Sequence, residues 1–158
     1  MNPEQFQSVF RDFLDPVSKF LARRVEPDAV EDLAADVFGV AWNKRDQIPM
    51  GFELPWLYKT ARYVIANHRR KNQSGIKLLM SLSAPVSAPS AETIALAEHG
   101  LAEAWSGLSA KQREIISLSA FEELSSKEIA KVLETSENSV NIRLSRARKK
   151  FAELLKEN

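Results

Sequence analysis

SSKEIAKVLETSENSVNIRLSRARKK, residues Ser125–Lys150, contains two helix starts and one tight turn. Ser125 followed three residues later by Glu128 is a capping box, in which the hydroxyl takes a free backbone N–H and the carboxylate reaches back to the cap. The segment KEIAKVL then carries apolar residues at helical spacing. Only ETSE, Glu134 to Glu137, separates a helix ending near Leu133 from one beginning near Glu137, with Ser136 placed to cap the second. That is the spacing of a helix-turn-helix. An ordinary helical hairpin shares it, but the small Ala130 inside the first helix lets the second cross close by.

On the second helix Val140, Leu144, Ala147, Phe151 and Leu154 or Leu155 share one face and belong in a core. The other faces carry Asn141, Arg143, Ser145, Arg146, Arg148 and Lys149, then Lys150, with no acid until Glu153. A charge run on a terminal helix is commonly just a solvated face. A helix in the DNA major groove, however, reads bases from its N-terminal turns and holds phosphates with its flanks. The order of amide and hydroxyl first, guanidinium around and after, fits the second description.

Upstream, Ser109 with Gln112 is another capping box and opens KQREIISLSAF, so the second half contains three helices with explicit start signals. The first half reads as a separate helical unit. Phe6, Phe10, Phe13, Leu14, Val17, Phe20 and Leu21 recur every three or four residues, a helix expected to break or re-cap at Asp15-Pro16. Asp28 is expected to cap a second helix with Glu31 reaching back, and Val30, Leu33, Val37, Val40 and Ala41 supply its buried stripe. Its end falls near Trp42. QIPMGFELP, Gln47 to Pro55, with two prolines and a glycine, reads as a loop, and a third helix resumes over Trp56 to Lys71. Between the halves, SLSAPVSAPSAET (Ser81 to Thr93) is made of small residues and prolines that bury too little apolar surface to fold alone, and reads as a linker.

Composition narrows the function classes. The 158 residues carry 22 Lys plus Arg against 21 Asp plus Glu, a net of +1 that argues against a uniformly basic nucleic-acid binder. Charge is nevertheless segregated. Glu26, Asp28, Glu31, Asp32 and Asp36 crowd one stretch, and no acid occurs between Glu53 and Glu92, where Lys59, Arg62, Arg69, Arg70, Lys71 and Lys77 fall. One acidic and two basic blocks suggest three surfaces with different partners. There is no cysteine, hence no disulfide or thiolate metal site. The N-terminus lacks the basic start and apolar core of a signal peptide, and no stretch is long enough to span a membrane, so a cytoplasmic setting is expected.

In PWLYKTARYVIANHRRKNQ, Pro55 to Gln73, Trp56, Leu57, Ala61, Val64 and Ile65 suit a core while Lys59, Arg62, Tyr63, Asn67, Arg69 and Arg70 lie on exposed faces. Aromatic and cationic groups interleaved suit single-stranded nucleic acid, since a ring stacks on an unpaired base while cations follow the backbone. Trp56, directly after a proline, reads as a core anchor and Tyr63 as the better partner for a base. Asp28, Asp32 and Asp36 repeat every four residues as an acidic stripe, suited to solvent, a protein partner or a metal. Metal ranks last, because no His follows a Glu at the Glu-x-x-His spacing of helical carboxylate sites. His68 reads as a polar contact and His99 as exposed. No glycine-rich phosphate loop, GxSxG or HExxH is present, so neither a catalytic residue nor a cofactor is expected.

Taken in order, DAVEDLAADVFGVAW (Asp28 to Trp42), PWLYKTARYVIANHRR and LSAKQREIISLSAFEELSSKEIAKVLETSENSVNIRLSRARKKF resemble the polymerase-docking helix, the -10 helix and region 4 of an extracytoplasmic-function (ECF) sigma factor, group IV of the sigma-70 family. The resemblance implies an all-α chain of two small domains: region 2 over residues 1–75, a flexible linker over 76–95 and region 4 over 96–158. It implies a non-enzymatic initiation factor whose partners are core RNA polymerase (β′ clamp helices and β flap), promoter DNA and an anti-sigma factor. Asp28, Glu31, Asp32, Leu33 and Asp36 would dock on polymerase. Lys59, Arg62, Tyr63, Asn67, Arg69 and Arg70, with the loop Gln47 to Leu54, would take the -10 element and a flipped base. Asn141, Ser145 and Arg146 would face bases of the -35 element, with Arg143, Arg148 and Lys149 on phosphates. Tyr63 departs from the Asn that many members place after Ala-Arg, and Asn141 stands where a basic residue is common. A stand-alone helix-turn-helix regulator accounts for the second half but leaves the acidic stripe and first basic block without a purpose; a helical carboxylate enzyme accounts for less.

Overall fold

The computed structural model describes residues 1–73 and 100–157, and among them every regular element is helical. The Ser/Ala/Pro segment Ser81 to Thr93, Lys77 and His99 lie outside the described residues. The chain divides into two compact units, Met1–Pro85 and Val86–Asn158.

The first unit packs three helices against one another: α1 (Pro3–Ala22), α2 (Val30–Asn43) and α3 (Glu53–Asn72). An Asn2–Gln5 capping box opens α1: the Gln5 N–H donates to Asn2 Oδ1 at 2.8 Å and the Asn2 N–H to Gln5 Oε1 at 2.9 Å. The break expected at Asp15-Pro16 does not occur, and α1 runs through Pro16. A proline inside a helix costs about 3 kcal/mol. Val17, Phe20 and Leu21 just beyond it are completely buried, and at about 1.5–3 kcal/mol per apolar side chain they outweigh that cost only if the helix continues.

The cap expected from Asp28 and Glu31 is not formed either. Pro27–Ala29 is a 3-10 turn, and Ala29 at the head of α2 makes no side-chain cap. The extended residue that opens this segment is Glu26, two positions earlier, so Asp28 lies inside a turn rather than at its entrance. The loop before α3 is also shorter than expected. Glu53 already belongs to α3, and Pro55 sits in its first turn, where a missing N–H leaves no helical bond unmade. What remains of the loop is a tight turn: the Phe52 N–H donates to Pro49 O at 3.1 Å, and Gly51 takes φ +85°, a conformation that favours glycine.

Trp56, Leu57, Ala61, Val64 and Ile65 are buried as the pattern requires, along with Val9 and Tyr58, whose ring stacks on Phe20 at 4.6 Å. Along the outer edge, Phe6 meets Trp42 and Phe10 meets Phe38 edge-on. Phe10 and Leu14 remain partly exposed.

The second unit has four described helices: α4 (Leu101–Ser106), α5 (Ala110–Ala120), α6 (Ser126–Leu133) and α7 (Glu137–Glu157). Both capping boxes form, with the Gln112 and Glu128 N–H groups each donating to the cap hydroxyl at 3.2 Å and Gln112 and Glu128 reaching back. Ser136 caps α7, accepting from the Ser139 N–H at 3.0 Å. The turn is three residues, Glu134 to Ser136, one fewer than ETSE. Glu134 adopts φ +56°, which turns the chain sharply enough for the Thr135 N–H to close on Ala130 O at 3.0 Å.

Val140, Leu144 and Ala147 are buried, Phe151 and Leu154 half-buried, and Leu155 is on the outside. The short α4 was not among the expected helices. Its Trp105 is buried and meets Phe121 and Phe151 edge-on, each at 6.0 Å.

Candidate functional site

Three surfaces were expected from the charge blocks, and the structure merges two of them. The acidic stripe of α2 and the basic end of α3 form opposite walls of one cleft of about 440 Å³, lined by Asp32, Leu33 and Asp36 on one side and Asn67, His68 and Lys71 on the other. Asp28, Glu31, Asp32 and Asp36 are exposed, and none has an ion-pair or hydrogen-bond partner among the described residues. Leu33 is only 5 % exposed, so it supports this wall from within.

The C-terminal turns of α3 are latched to the segment between α1 and α2. The His68 Nε2 lies 2.7 Å from Glu26 Oε1, and because a carboxylate only accepts, the imidazole donates. The Glu26 carboxyl is held below the ordinary carboxylate value, first by its own backbone N–H, against its burial, and then by His68 and the charge of Arg69. Arg69 donates to Arg24 O at 3.1 Å. It was expected on an exposed face, but the latch turns it partly inward. Arg70 is exposed and bonds Asn67.

Lys59 and Arg62 are half-buried, while Tyr63 is 54 % exposed. The six residues expected on the -10 face thus separate into an outward aromatic flanked by two cations, Lys59 and Arg62, and a more structural group at the helix end. Met50, 89 % exposed, tops the turn before α3.

In the second unit, Asn141, Ser145, Arg146, Arg148 and Lys149 stand exposed on α7 and Arg143 is half-buried. They do not point one way. Arg143 and Arg146 converge with Lys111 of α5 on a cleft of about 180 Å³ floored by Ile115 and Ala147. None of the three cations has a carboxylate partner among the described residues. Arg148 is steered to α5 as well, donating to Ser119 Oγ at 2.9 Å. Asn141 accepts from the Ser126 hydroxyl at 2.6 Å. Lys111 and Ser126 were missed by the sequence reading, although a cation two residues after the Ser109 cap and a second serine beside the Ser125 cap were there to be noticed.

The family description "Sigma-70, region 4" matches residues 100–151, which is the helical unit just described. The sigma factor RpoE, solved in complex with the anti-sigma factor NepR from Bartonella quintana, is similar at 27 % identity and TM-score 0.69, over 97 % of this chain and 98 % of that one. The second unit thus matches sigma-70 region 4, and the chain along nearly its whole length is similar to a sigma factor. CnrH, solved in complex with the cytosolic domain of CnrY, shares the fold at 21 % identity and TM-score 0.65, over 99 % of this chain and 91 % of that one. No curated protein sequence matches the chain.

The described regular elements are all helical and fall in two units, the architecture expected of a two-domain ECF-type sigma factor. Among the described residues no helix is long and apolar enough to cross a membrane, and no group of acidic or histidine side chains is placed to hold a metal ion.

Proposed function

We propose that this chain is an alternative sigma factor of the ECF type that binds core RNA polymerase through the acidic wall of α2, opens the -10 element with α3 and the turn before it, and holds the -35 element with α7. The observation that carries this reading is the division of α7 between a buried apolar face and an exposed face of amide, hydroxyl and cations, held by a closed three-residue turn. Asp28, Glu31, Asp32 and Asp36 offer unpaired charge to a basic partner such as the β′ clamp helices, with Leu33 beneath them. The region 4 unit meets the β flap. Lys59 and Arg62 follow the single-stranded backbone and Tyr63 stacks on an unpaired base, with Asn67, Arg69 and Arg70 closing the -10 face.

On α7, Asn141 and Ser145 face bases. Arg143, Arg146 and Lys111 share a phosphate in their cleft, while Arg148 and Lys149 extend the phosphate track. The functional division is region 2 over residues 1–75, a linker over 76–95 and region 4 over 96–158. Polymerase performs all the chemistry, in the cytoplasm, with no cofactor held by this chain. An anti-sigma factor restrains it, as one accompanies the relative from Bartonella quintana.

Reconstitution tests the reading: the chain added to core polymerase should form a stable complex and direct transcription from a cognate promoter. Duplex binding by the chain alone, with no affinity for core polymerase, would instead identify a stand-alone regulator.

A further inference from the structure

The flanks of α7 are each drawn to a neighbouring helix. Asn141 is bonded to the Ser126 hydroxyl of α6, and Arg143 and Arg146 lean over the cleft they share with Lys111 of α5. Between the two flanks runs a ridge of exposed residues, Asn138, Ile142, Ser145 and Lys149, spaced three or four apart as one helical face requires. At about 100° per residue, Ile142 lies about 170° from the mean direction of the buried Val140, Leu144 and Ala147, so it forms the crest of that ridge. It is 42 % exposed, and apart from Leu155 near the far end of the helix it is the one large apolar side chain left outside among the described residues of this unit. The fold does not ask for it. Isoleucine forms a helix less readily than the Lys, Arg and Ala used along the rest of α7, and an exposed apolar group gains nothing from burial.

Ile142 stands in the second turn of α7, within the N-terminal turns from which a major-groove helix reads bases. With the core behind α7 and its flanks turned to α5 and α6, the crest is what such a groove meets first. Base edges there present donors and acceptors, except that thymine adds an apolar C5-methyl. Pressed on an amino or carbonyl group, Ile142 would strip water from it without returning a hydrogen bond. Pressed on the methyl, it buries apolar surface on both sides. We propose that Ile142 is a specificity-determining residue that reads the C5-methyl of a thymine in the -35 element. This rests on the placement of α7 in the -35 major groove. Arg146 and Lys149, exposed beside it, make DNA a better occupant of this face than an apolar protein surface.

Reconstituted holoenzyme first selects its -35 element from a randomised promoter library. Each selected thymine, on either strand, is then replaced singly by deoxyuridine, which removes the methyl and keeps every hydrogen-bonding group of the base. At one position the native holoenzyme should lose about fourfold in affinity, the effect of one buried methyl-sized group. Ile142→Ala should bind the thymine and deoxyuridine promoters equally at that position and keep any other deoxyuridine effect, while Ile142→Val, which retains the branched methyl pair, should still prefer thymine. Both variants should fold, because the side chain is exposed, and circular dichroism checks this. A native holoenzyme indifferent to deoxyuridine at every position, or a thymine preference that Ile142→Ala leaves unchanged throughout, would overturn the inference while leaving α7 in the groove, and would mark Ile142 as facing solvent or a protein. A selected element without thymine on either strand would do the same. A native holoenzyme that selects no -35 sequence at all would overturn the placement of α7 along with it.

Discussion

Reversing the two central charges of the acidic wall, Asp32→Arg with Asp36→Arg, should separate docking from folding. Both carboxylates are exposed, one helical turn apart, and unpaired among the described residues, so neither contributes a buried contact to the fold. Asp32 lies in the first turn of α2, where an acid complements the helix dipole by about 0.3–1 kcal/mol. Asp36 is beyond that range, and the like-charge spacing between the two positions is the same before and after reversal. Folding should therefore lose about 1 kcal/mol. Against a basic partner, each exposed pair is worth up to about 1 kcal/mol, and reversal turns attraction into repulsion of similar size. Two positions give a loss of up to about 4 kcal/mol, or up to about 700-fold in Kd for core polymerase. Fluorescence titration of labelled core polymerase measures the second quantity and denaturant unfolding the first, with Glu153→Arg as a control in the other unit. Unchanged polymerase affinity in a folded double variant would refute the docking face, as would Glu153→Arg weakening binding equally.

Other consequences are measurable. Tyr63→Ala should leave closed-promoter binding nearly intact but impair strand opening, because a lost base stack of about 1–3 kcal/mol counts only once the base is out; permanganate reactivity on duplex and pre-melted templates distinguishes the two. Lys111→Ala should lower the steepness of the log-log salt dependence of promoter binding by about 0.9 if the lysine neutralises one phosphate, read by titrating holoenzyme on duplex at several salt concentrations. Trp105→Ala should destabilise the second unit by about 3–5 kcal/mol. Trp105→Phe should cost much less, because the buried indole N–H has no acceptor among the described residues; both are read by denaturant unfolding. The Glu26–His68 latch should weaken in acid. A carboxyl held below its ordinary value of 4.5 stabilises the fold fully above that value and ceases to do so as pH falls through the lower folded one. Glu26→Gln should therefore show a shallower acid limb than the native chain when unfolding midpoints are compared across pH.

Helix identity was legible wherever periodicity and a cap agreed. Ser109–Gln112 and Ser125–Glu128 announced their helices because a reciprocal pair of hydrogen bonds satisfies donors that the first helical turn leaves without an intrahelical partner. The same logic misplaced the start of α2, where Asp28 and Glu31 have the right spacing but Pro27 draws Asp28 into a 3-10 turn. Pro16 misled in the other direction, since the local rule against proline is weaker than the burial that follows it. The site residues were legible as types but not as directions. A string shows that Arg69 is basic, yet only the approach of the segment around Arg24 shows that its guanidinium has backbone to bind. It cannot show that α5 contributes Lys111, because the convergence depends on how α5 crosses α7.

The turn between α6 and α7 is closed from both sides, by Thr135 on the carbonyl of Ala130 and by Ser136 on the amide of Ser139. Neither bond involves a side chain proposed to meet DNA. On the proposed placement, α7 is in this respect a fixed mount carrying interchangeable readers: exchanging Asn141 or Ser145 leaves both closures intact. Promoter preference can then drift by single substitutions, each altering one base contact without a compensating change in the scaffold, so a lineage carrying duplicated copies of such a chain has a short mutational path to separate sets of promoters.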